Sequence, residues 1–248
     1  MSRILQPFVV LWKFYFFFLF IVILLLFYPF FRVLLNDRKN FPTVLKLMRI
    51  WGGSLHRLGG VYIQHLVKPI FPDPPYIVCP NHSSYLDIVL MYTLIPDYFI
   101  FMGKDEIKDW PLFHILFTKG MNILVERSSR TASHKAFLKA GEELDRGSVV
   151  IIFPEGTIPP NAPTMKIFKN GAFKLAMEKN VPIVPISFRT NWKLLQSGAI
   201  LKSRGRPGLS KVYVHKAILP KENSDEEFSR LRQTTFDTIN SQLERHED

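Results

Sequence analysis

The apolar residues of the chain fall into one continuous run near the start and many short runs afterwards. From Phe14 to Phe31 the sequence has no charged residue over 18 positions. Spanning a bilayer takes about 20 apolar residues, so this run predicts a membrane helix, which Val9–Trp12 would lengthen if the Lys13 ammonium reached the interface. A soluble core helix is the alternative, but a helix that is apolar on all sides is hard to bury in a small domain.

A second helix is predicted after a polar turn at residues 36–40; it begins near Phe41–Pro42 and runs to about Leu58. Its apolar side chains share one face, and its basic side chains lie elsewhere. A basic amphipathic helix after a very apolar one predicts a two-helix hairpin embedded at the membrane interface. We therefore expect residues 1–58 to form a membrane-anchoring hairpin, monotopic in preference to spanning, and residues 59–248 to form an α/β domain on the cytoplasmic side.

Beyond Gly59–Gly60 the chain alternates between short β-type runs and helical stretches. This alternation predicts an α/β fold with a mainly parallel mixed sheet that is flanked by helices. The predicted strands are Val61–Val67, Tyr76–Cys79, Tyr98–Met102, Asn122–Val125, Val149–Phe153, Ile183–Phe188 and Val212–Leu219. The predicted helices are residues 84–95, 110–119, 131–146 and 168–180, with a final helix capped by Ser224 and Glu227.

Composition and charge narrow the classes of partner. The 248 residues carry a net charge of +11, from 32 basic and 21 acidic residues. A basic body joined to an apolar start indicates an anionic membrane surface or phosphate-bearing substrates, and nucleic acid is the alternative on charge alone. The single cysteine, Cys79, excludes a disulfide within the chain and multi-cysteine metal sites, and its place in a predicted strand favours a buried structural thiol.

Two segments place polar residues directly after predicted strands, where parallel sheets collect their chemistry. In the first, a strand ends at Pro80, and Asn81 and His82 lead into a helix. Asp87 lies about one turn into that helix, so its carboxylate can reach the imidazole of His82. A carboxylate on one ring nitrogen fixes the tautomer and leaves the other nitrogen to take a proton from a hydroxyl. The alternative is a helix cap beside a surface histidine.

The second segment ends the strand run Val149–Phe153 with Pro154, Glu155 and Gly156. The glycine allows backbone N–H groups to approach a ligand, and the carboxylate beside it can hold one in place. An ordinary turn with a surface glutamate is the alternative interpretation.

Together the two segments resemble the glycerolipid acyltransferases, and most closely the bacterial 1-acyl-glycerol-3-phosphate acyltransferases. The family pattern N-H-x-x-x-x-D matches Asn81, His82 and Asp87, and the pattern F-P-E-G-T matches residues 153–157 without change. An unbroken five-residue match arises by chance in about 10⁻⁴ of chains this long, so this match is specific.

Two further blocks are similar to the family and follow in its order. Residues 120–127, GMNILVER, are similar to its intermediate block, and residues 181–186, VPIVPI, are similar to its apolar block with two prolines. The chain departs from the pattern at Ile158–Pro159–Pro160, where the family usually has Arg-Ser.

The resemblance implies transfer of a fatty acyl group from a thioester, acyl-carrier protein or coenzyme A, to the sn-2 hydroxyl of lysophosphatidic acid, which forms phosphatidic acid. It implies an enzyme at the inner membrane that faces the cytoplasm, with the lipid bilayer as a partner. No covalent acyl-enzyme, cofactor, metal or nucleic acid is expected.

The resemblance also assigns roles to individual residues. His82 would be the base that deprotonates the acceptor, and Asp87 would orient it. Arg127 would bind the phosphate, and Lys104, which follows another predicted strand, is a second candidate for this contact. The remaining expected substrate-binding residues are Glu155, Gly156, Thr157 and Gly120. The expected supporting residues of the motifs are Asn81, Phe153, Pro154, Pro182 and Pro185.

Two alternative functions stay open at this point. One is the same chemistry on glycerol-3-phosphate or another lysophospholipid. The other is a membrane-anchored lipid-binding protein without catalysis, which predicts damage to the His–Asp pair or to F-P-E-G-T, although both are intact. The basic cluster at residues 202–206 fits anionic headgroups, an acidic carrier protein or a solvated loop.

Overall fold

A computed structural model describes residues 6–110, 112–126 and 128–244. Seven strands of this part of the chain form one sheet in the order β1-β7-β6-β2-β5-β3-β4. The strands are β1 Val61–His65, β2 Ile77–Pro80, β3 Phe99–Lys104, β4 Ile123–Val125, β5 Val149–Ile152, β6 Ile183–Phe188 and β7 Gly208–Val214.

Eight α-helices lie within the described residues. They are α1 Gln6–Leu34, α2 Phe41–Leu58, α3 Leu86–Leu94, α4 Ile115–Thr118, α5 Arg130–Asp145, α6 Gly171–Lys179, α7 Asn191–Leu194 and α8 Asp225–Leu243. Together with the sheet they confirm the predicted α/β fold with flanking helices. Ser224 also begins α8 as predicted, because its hydroxyl accepts a hydrogen bond from the backbone N–H of Glu227.

The sheet is parallel except where β6 meets β7. β2 and β6 are buried along their whole length, as expected for strands that are covered on both faces. Because β7 runs against β6 and β1 runs with β7, the starts of β1 and β7 lie where β2 to β6 end. We call this side of the sheet the carboxyl edge, and both predicted motifs follow strands that end there.

The two faces of the sheet bury separate apolar clusters. One face packs against α1, α2 and α3, for example through Val78, Val184 and Trp51. The other face packs against α5, α6 and α8, through Ile77, Ile183 and other residues. Successive residues of β2 and β6 therefore point to opposite clusters, which is the period-two pattern of a strand covered on both sides.

The first two helices run in opposite directions along one another. The indole N–H of Trp12 donates to the carbonyl of Gly59 at 3.0 Å, and Phe20 meets Trp51 edge-to-face. At the other end, Arg38 in the connecting turn bonds the carboxylate of Glu143 on α5. The pair is thus packed along the α/β body from end to end, and its placement in a membrane stays a prediction.

α1 is longer than the uncharged run, since it begins at Gln6 and ends at Leu34. By length and composition it is able to cross a membrane, and only 28% of its most apolar stretch is buried, which argues against a core helix. Its outward apolar side chains include Phe8, Leu11, Phe14, Tyr15, Phe17, Phe18, Leu25, Leu26, Phe30 and Val33.

Lys13 does not reach toward an interface. Its ammonium is buried and donates to the carbonyl and the hydroxyl of Ser203, each at 2.6 Å. The ammonium of Lys13 is therefore satisfied inside the protein, by a loop that lies 190 positions further along the chain.

Most predicted elements differ from the structure by one to three residues at an end, and two differ by more. The helix predicted at 110–119 is reduced to α4, because Leu112 adopts a φ of +65° that a helix does not allow. The last predicted strand begins earlier, at Gly208, because residues 208–212 pair with β1. That pairing depends on a partner strand about 150 positions away, which local apolar runs do not reveal.

Candidate active site

His82 and Asp87 face each other where β2 runs into α3. The Nδ1 atom of His82 lies 3.0 Å from Oδ2 of Asp87, and Asp87 is completely buried. The carboxylate only accepts hydrogen bonds, so Nδ1 carries the proton and Nε2 keeps its lone pair. Among the described residues Nε2 has no hydrogen-bond partner, and the histidine is therefore arranged to accept a proton there.

Asp87 is held by the start of its own helix. The backbone N–H groups of Ser83 and Ser84 donate to its Oδ2 at 2.7 and 2.9 Å. These N–H groups precede the first turn of α3, where a carboxylate is stabilised by free amide donors and by the helix dipole. The five-residue spacing from His82 to Asp87 places the imidazole on the same oxygen.

A third partner of Asp87 was not found from the sequence. The side-chain amide of Asn191, at the start of α7, donates to Oδ1 of Asp87 at 2.7 Å. Ser210 on β7 in turn donates its hydroxyl to the Asn191 carbonyl oxygen at 2.6 Å, and both residues are fully buried. Asn191 follows β6 at the carboxyl edge, so its position after a strand was the one signal that could have identified it.

Glu155 connects the second motif to the first. Its Oε1 accepts from the backbone N–H of His82 at 2.7 Å, and its Oε2 accepts from the backbone N–H of Lys166 at 2.9 Å. The residue is 2% exposed. Both oxygens are therefore engaged by backbone, and the carboxylate fixes the His82 loop and closes the loop of residues 156–165 that contains Ile158–Pro159–Pro160.

Burial raises the pKa of Glu155 to about 7, although the backbone N–H groups of His82 and Lys166 act in the opposite direction. Above this pH the ionised carboxylate accepts both hydrogen bonds. Below it one oxygen carries a proton, and that oxygen becomes a poorer acceptor. The attachment of the His82 loop thus depends on pH close to neutrality.

One other residue of the second motif, Phe153, contacts the same histidine. The ring of Phe153 stacks on the imidazole of His82, with ring centres 4.1 Å apart. Gly156 has a φ of +75°, which favours glycine, and its N–H is donated to the Phe153 carbonyl at 3.0 Å. Thr157 is exposed, and within the described part of the chain its N–H has no acceptor.

The supporting residues of the motifs hold neighbouring strands together. Asn81 exchanges two hydrogen bonds with the backbone of Phe188 at the end of β6, at 2.7 and 3.2 Å. Pro182 accepts from the N–H of Ile77, and Pro185 pairs with Cys79 inside the sheet. Cys79 is buried, as predicted, and burial raises the pKa of its thiol.

Two further predicted substrate-binding residues, Lys104 and Gly120, lie on the β3–β4 side. Lys104 ends β3 at the carboxyl edge, and its ammonium is paired with Glu106. Gly120 instead precedes β4, at the far end of that strand from the carboxyl edge, and its φ of +82° gives it a turn role. Arg127 lies outside the described residues.

A serine–histidine pair, separate from the His82–Asp87 pair, lies on the β6–β7 side but is not arranged for catalysis. Ser187 lies 2.8 Å from Nε2 of His215, yet its hydroxyl proton is donated to the carbonyl of Ile239 on α8. Burial lowers the pKa of His215 to about 4. The pair therefore joins α8 to the sheet.

Residues 60–189 match the Acyltransferase family, and this segment is more than half of the chain. The chain belongs to the acyltransferase family. The matching segment contains His82, Asp87 and the five residues 153–157, so the family match and the buried site concern the same part of the acyltransferase.

Two curated relatives carry names with specific acceptors. The acyltransferase is 32% identical to a 1-acyl-sn-glycerol-3-phosphate acyltransferase of Chlamydomonas reinhardtii, over 69% of this chain and 51% of that protein. It is also 32% identical to a lyso-ornithine lipid O-acyltransferase of Pseudomonas aeruginosa, over 47% of this chain and 43% of that protein. The chain thus spans about half the length of these relatives.

A solved structure shares the fold of the whole acyltransferase. The crystal structure of a 1-acyl-sn-glycerophosphate (LPA) acyltransferase from Thermotoga maritima matches with a TM-score of 0.74 and 24% sequence identity, over 100% of both chains. At this level of identity the likeness shows the fold.

Proposed function

We propose that this acyltransferase transfers a fatty acyl group from a thioester to the free hydroxyl of lysophosphatidic acid. The observation that carries the proposal is the buried His82–Asp87 pair, with Nδ1 bound to the carboxylate and Nε2 left to accept a proton. The names of the relatives support the choice of acceptor. The motif resemblance adds the sn-2 position, which makes phosphatidic acid the product.

The reaction needs one base and no covalent acyl-enzyme. Nε2 of His82 takes the proton of the acceptor hydroxyl while the hydroxyl oxygen attacks the thioester carbonyl carbon. An ester C–O bond forms, the C–S bond breaks, and the leaving thiolate takes the proton back from His82. Asp87 stabilises the imidazolium between these two steps. The chemistry uses no cofactor or metal.

The second motif supports this reaction in two ways. Glu155 holds the backbone of His82, so we assign it a positioning role through the histidine instead of a contact with the acceptor. The N–H of Gly156 is already used inside the protein. We therefore assign stabilisation of the developing oxyanion to the N–H of Thr157, which lies beside the engaged carboxylate and has no acceptor among the described residues.

For the acceptor phosphate we retain Arg127 from the motif resemblance, with Lys104 at the end of β3 as a second candidate cation. A guanidinium offers a phosphate two parallel hydrogen bonds. Arg127→Ala should raise KM for lysophosphatidic acid much more than KM for the thioester. An unchanged KM for the acceptor would assign Arg127 to structure.

The outward face of α1 indicates membrane association, and we propose that it lies in the cytoplasmic leaflet of the inner membrane. The acyl chain of a lysophosphatidic acid stays in the bilayer and its hydroxyl lies near the headgroups. An apolar helix packed along the catalytic body keeps the base at that depth. The chain outside α1 would then lie on the cytoplasmic side.

The test of the proposed function is a matrix of substrates. The purified full chain in phospholipid vesicles receives lysophosphatidic acid, lyso-ornithine lipid or glycerol-3-phosphate, each with palmitoyl-coenzyme A or palmitoyl-acyl-carrier protein. Products are identified by mass. We expect phosphatidic acid with the highest kcat/KM, and none from His82→Ala. A preference for lyso-ornithine lipid, the acceptor named for the Pseudomonas aeruginosa relative, would mean that the proposed acceptor is wrong and that the proposed acyl-transfer reaction still holds.

A further inference from the structure

A groove outside the His82 site lies between the start of α1 and the segment that leads into β7. Its volume is about 460 Å³. One wall is apolar and comes from Phe8, Val9 and Trp12 of α1. The other wall contains Lys193, Arg204 and Arg206, so the groove combines an apolar wall with a basic rim.

The basic rim is held in a fixed arrangement. The guanidinium of Arg204 and the ammonium of Lys193 lie 5.0 and 5.4 Å from the ring centre of Trp192. The backbone of Arg204 exchanges hydrogen bonds with Gln196, and the backbone N–H of Arg206 donates to Leu194. No described carboxylate pairs with the guanidinium of Arg204 or Arg206, so two cations are presented without a partner anion.

α1 builds this groove as well as lining it. Lys13 binds Ser203, one residue before Arg204. A Cβ atom at Gly205 would lie 2.5 Å from Cε of Lys13, so glycine is required for this close approach. The basic loop is therefore fixed to α1 by a buried cation, as expected for a preorganised binding site and not for a loop that moves freely in solvent.

The groove lies next to the catalytic pair, on the opposite side from the predicted acceptor site. Lys193 lies two residues after Asn191, which binds Asp87, and Leu195 accepts a hydrogen bond from Ser84 at 2.6 Å. Lys104 and β4 lie on the far side of β2 in the sheet order. The groove thus lies on the β6–β7 side of His82, and Lys104 lies on the β3 side.

We propose that this groove binds the donor, through the phosphate of a phosphopantetheine thioester. The inference rests on the proposed function, because acyl transfer to a phosphorylated acceptor brings together two substrates that both carry phosphate. Arg204 and Arg206 match phosphate oxygens, and the apolar wall of α1 packs against the pantetheine arm, whose thioester end extends toward His82. Coenzyme A and acyl-carrier protein share this phosphopantetheine group, so the same cations serve either donor.

The test separates phosphate binding from every other use of the groove. Arg204→Gln/Arg206→Gln is assayed with palmitoyl-coenzyme A, with palmitoyl-acyl-carrier protein, and with S-palmitoyl-N-acetylcysteamine, a thioester without phosphate. We expect KM for both phosphate-bearing donors to rise at least about tenfold, with kcat and KM for lysophosphatidic acid unchanged. With the phosphate-free thioester the variant and the parent should be equal.

A matched control removes two exposed charges elsewhere. Lys135→Gln/Lys139→Gln on α5 makes the same change in net charge, far from the groove in the fold, and should leave all three KM values unchanged. An equal loss with this control would show a general charge effect and overturn the site.

Three other outcomes would overturn the proposal. One is an equal loss with the phosphate-free thioester. Another is a rise in KM for lysophosphatidic acid alone, which would make the groove the acceptor site. A third is weaker sedimentation of the variant with vesicles of phosphatidylcholine and phosphatidylglycerol, to an extent that accounts for all of its lost activity. The two arginines would then be contacts to membrane headgroups. If the parent enzyme forms no product with any donor, the proposed function fails instead.

Discussion

Beside His82, two buried carboxylates use their oxygens to accept hydrogen bonds from backbone and amide N–H groups, whereas the outward side of α1 presents large apolar side chains to its surroundings. In the first region each carboxylate oxygen has an assigned donor. In the second, Tyr15 donates its hydroxyl to the Leu58 carbonyl, and the other outward side chains are apolar. The two regions lie in one continuous fold, and α1 also contributes to the apolar cluster under the sheet.

The comparison separates two ways in which a sequence determines function. A buried donor or acceptor that loses its partner costs about 1–3 kcal/mol, so the catalytic region should be sensitive to exchange of a single atom. Apolar area is additive and non-directional, so the outward face of α1 should tolerate any exchange that keeps its area. Substitutions in both regions test this difference.

The largest effect is expected for His82→Ala, which removes the proposed base. Loss of a positioned base lowers the rate by about 10²–10⁴-fold, and the fold should be unchanged because the side chain has one hydrogen bond, to Asp87. The measurement is kcat with lysophosphatidic acid and palmitoyl-coenzyme A. His134→Ala, at an exposed position on α5, is the control and should keep full activity. More than about a tenth of the activity in His82→Ala would remove the base from the proposal.

Glu155→Gln should be the next most severe change, although it alters one atom. The carboxylate accepts from His82 and Lys166, but an amide has one acceptor oxygen and would turn its NH₂ group toward one of these two N–H donors. We expect a loss of kcat of about tenfold or more. Glu178→Gln, exposed on α6, should have no effect. Equal activity of the two variants would show that Glu155 does not position His82.

Asn191→Ala should lower kcat by about tenfold and leave both KM values unchanged. It removes the amide that holds Oδ1 of Asp87, so the imidazole loses part of its orientation without loss of a substrate contact. Ser210→Ala should give a smaller loss of the same kind, because it acts through Asn191. A rise in the KM for either substrate would instead place Asn191 in the substrate site.

On the other side of the comparison, Phe14→Ser/Phe18→Ser should weaken binding to vesicles at least about tenfold without unfolding the protein. The two rings share one side of α1 and are 56% and 62% exposed, so their transfer from water to lipid is the interaction that is lost. Phe14→Leu/Phe18→Leu should bind nearly as well as the parent. If serine and leucine variants sediment alike, this face of α1 does not contact lipid.

The smallest effect concerns stability and pH. Since the folded-state pKa of Glu155 is about 7, above the ordinary value of 4.5 for a glutamate, the native state binds this proton more tightly. Its contribution to stability is complete below pH 4.5 and is lost as the pH rises through 7. The denaturant concentration at the unfolding midpoint of the parent, relative to that of Glu155→Gln, should therefore decrease as the pH is raised from 4.5 to 7. A difference that does not change with pH would mean that the group is not buried as a carboxyl.

The elements that could be predicted from the sequence are those with a local signature. β6 was predicted with the bounds that it has, because its residues are apolar and buried on both faces. The approach of Asp87 to His82 followed from five positions of separation and one helical turn. The family motifs marked the same residues, since the chemistry of the site is concentrated in two short loops.

The features that could not be predicted join distant parts of the chain. Asn191 binds Asp87 across 104 positions, and Ser210 supports it from a strand that also pairs with β1. Lys13 pairs with Ser203 although it stands within an apolar helix, where the sequence favours an extended, interface-seeking lysine. Such contacts depend on the order of strands in the sheet, which local patterns do not contain.

The bond between Lys13 and Ser203 has a consequence for the order in which the protein is made. Chains are synthesised at about 5–20 residues per second, so 190 positions correspond to about 10–40 s between the appearance of Lys13 and of its partner. During this interval Lys13 has been synthesised, but its partner Ser203 has not. The contact between α1 and the loop at Ser203 can therefore form only after the ribosome has passed Ser203.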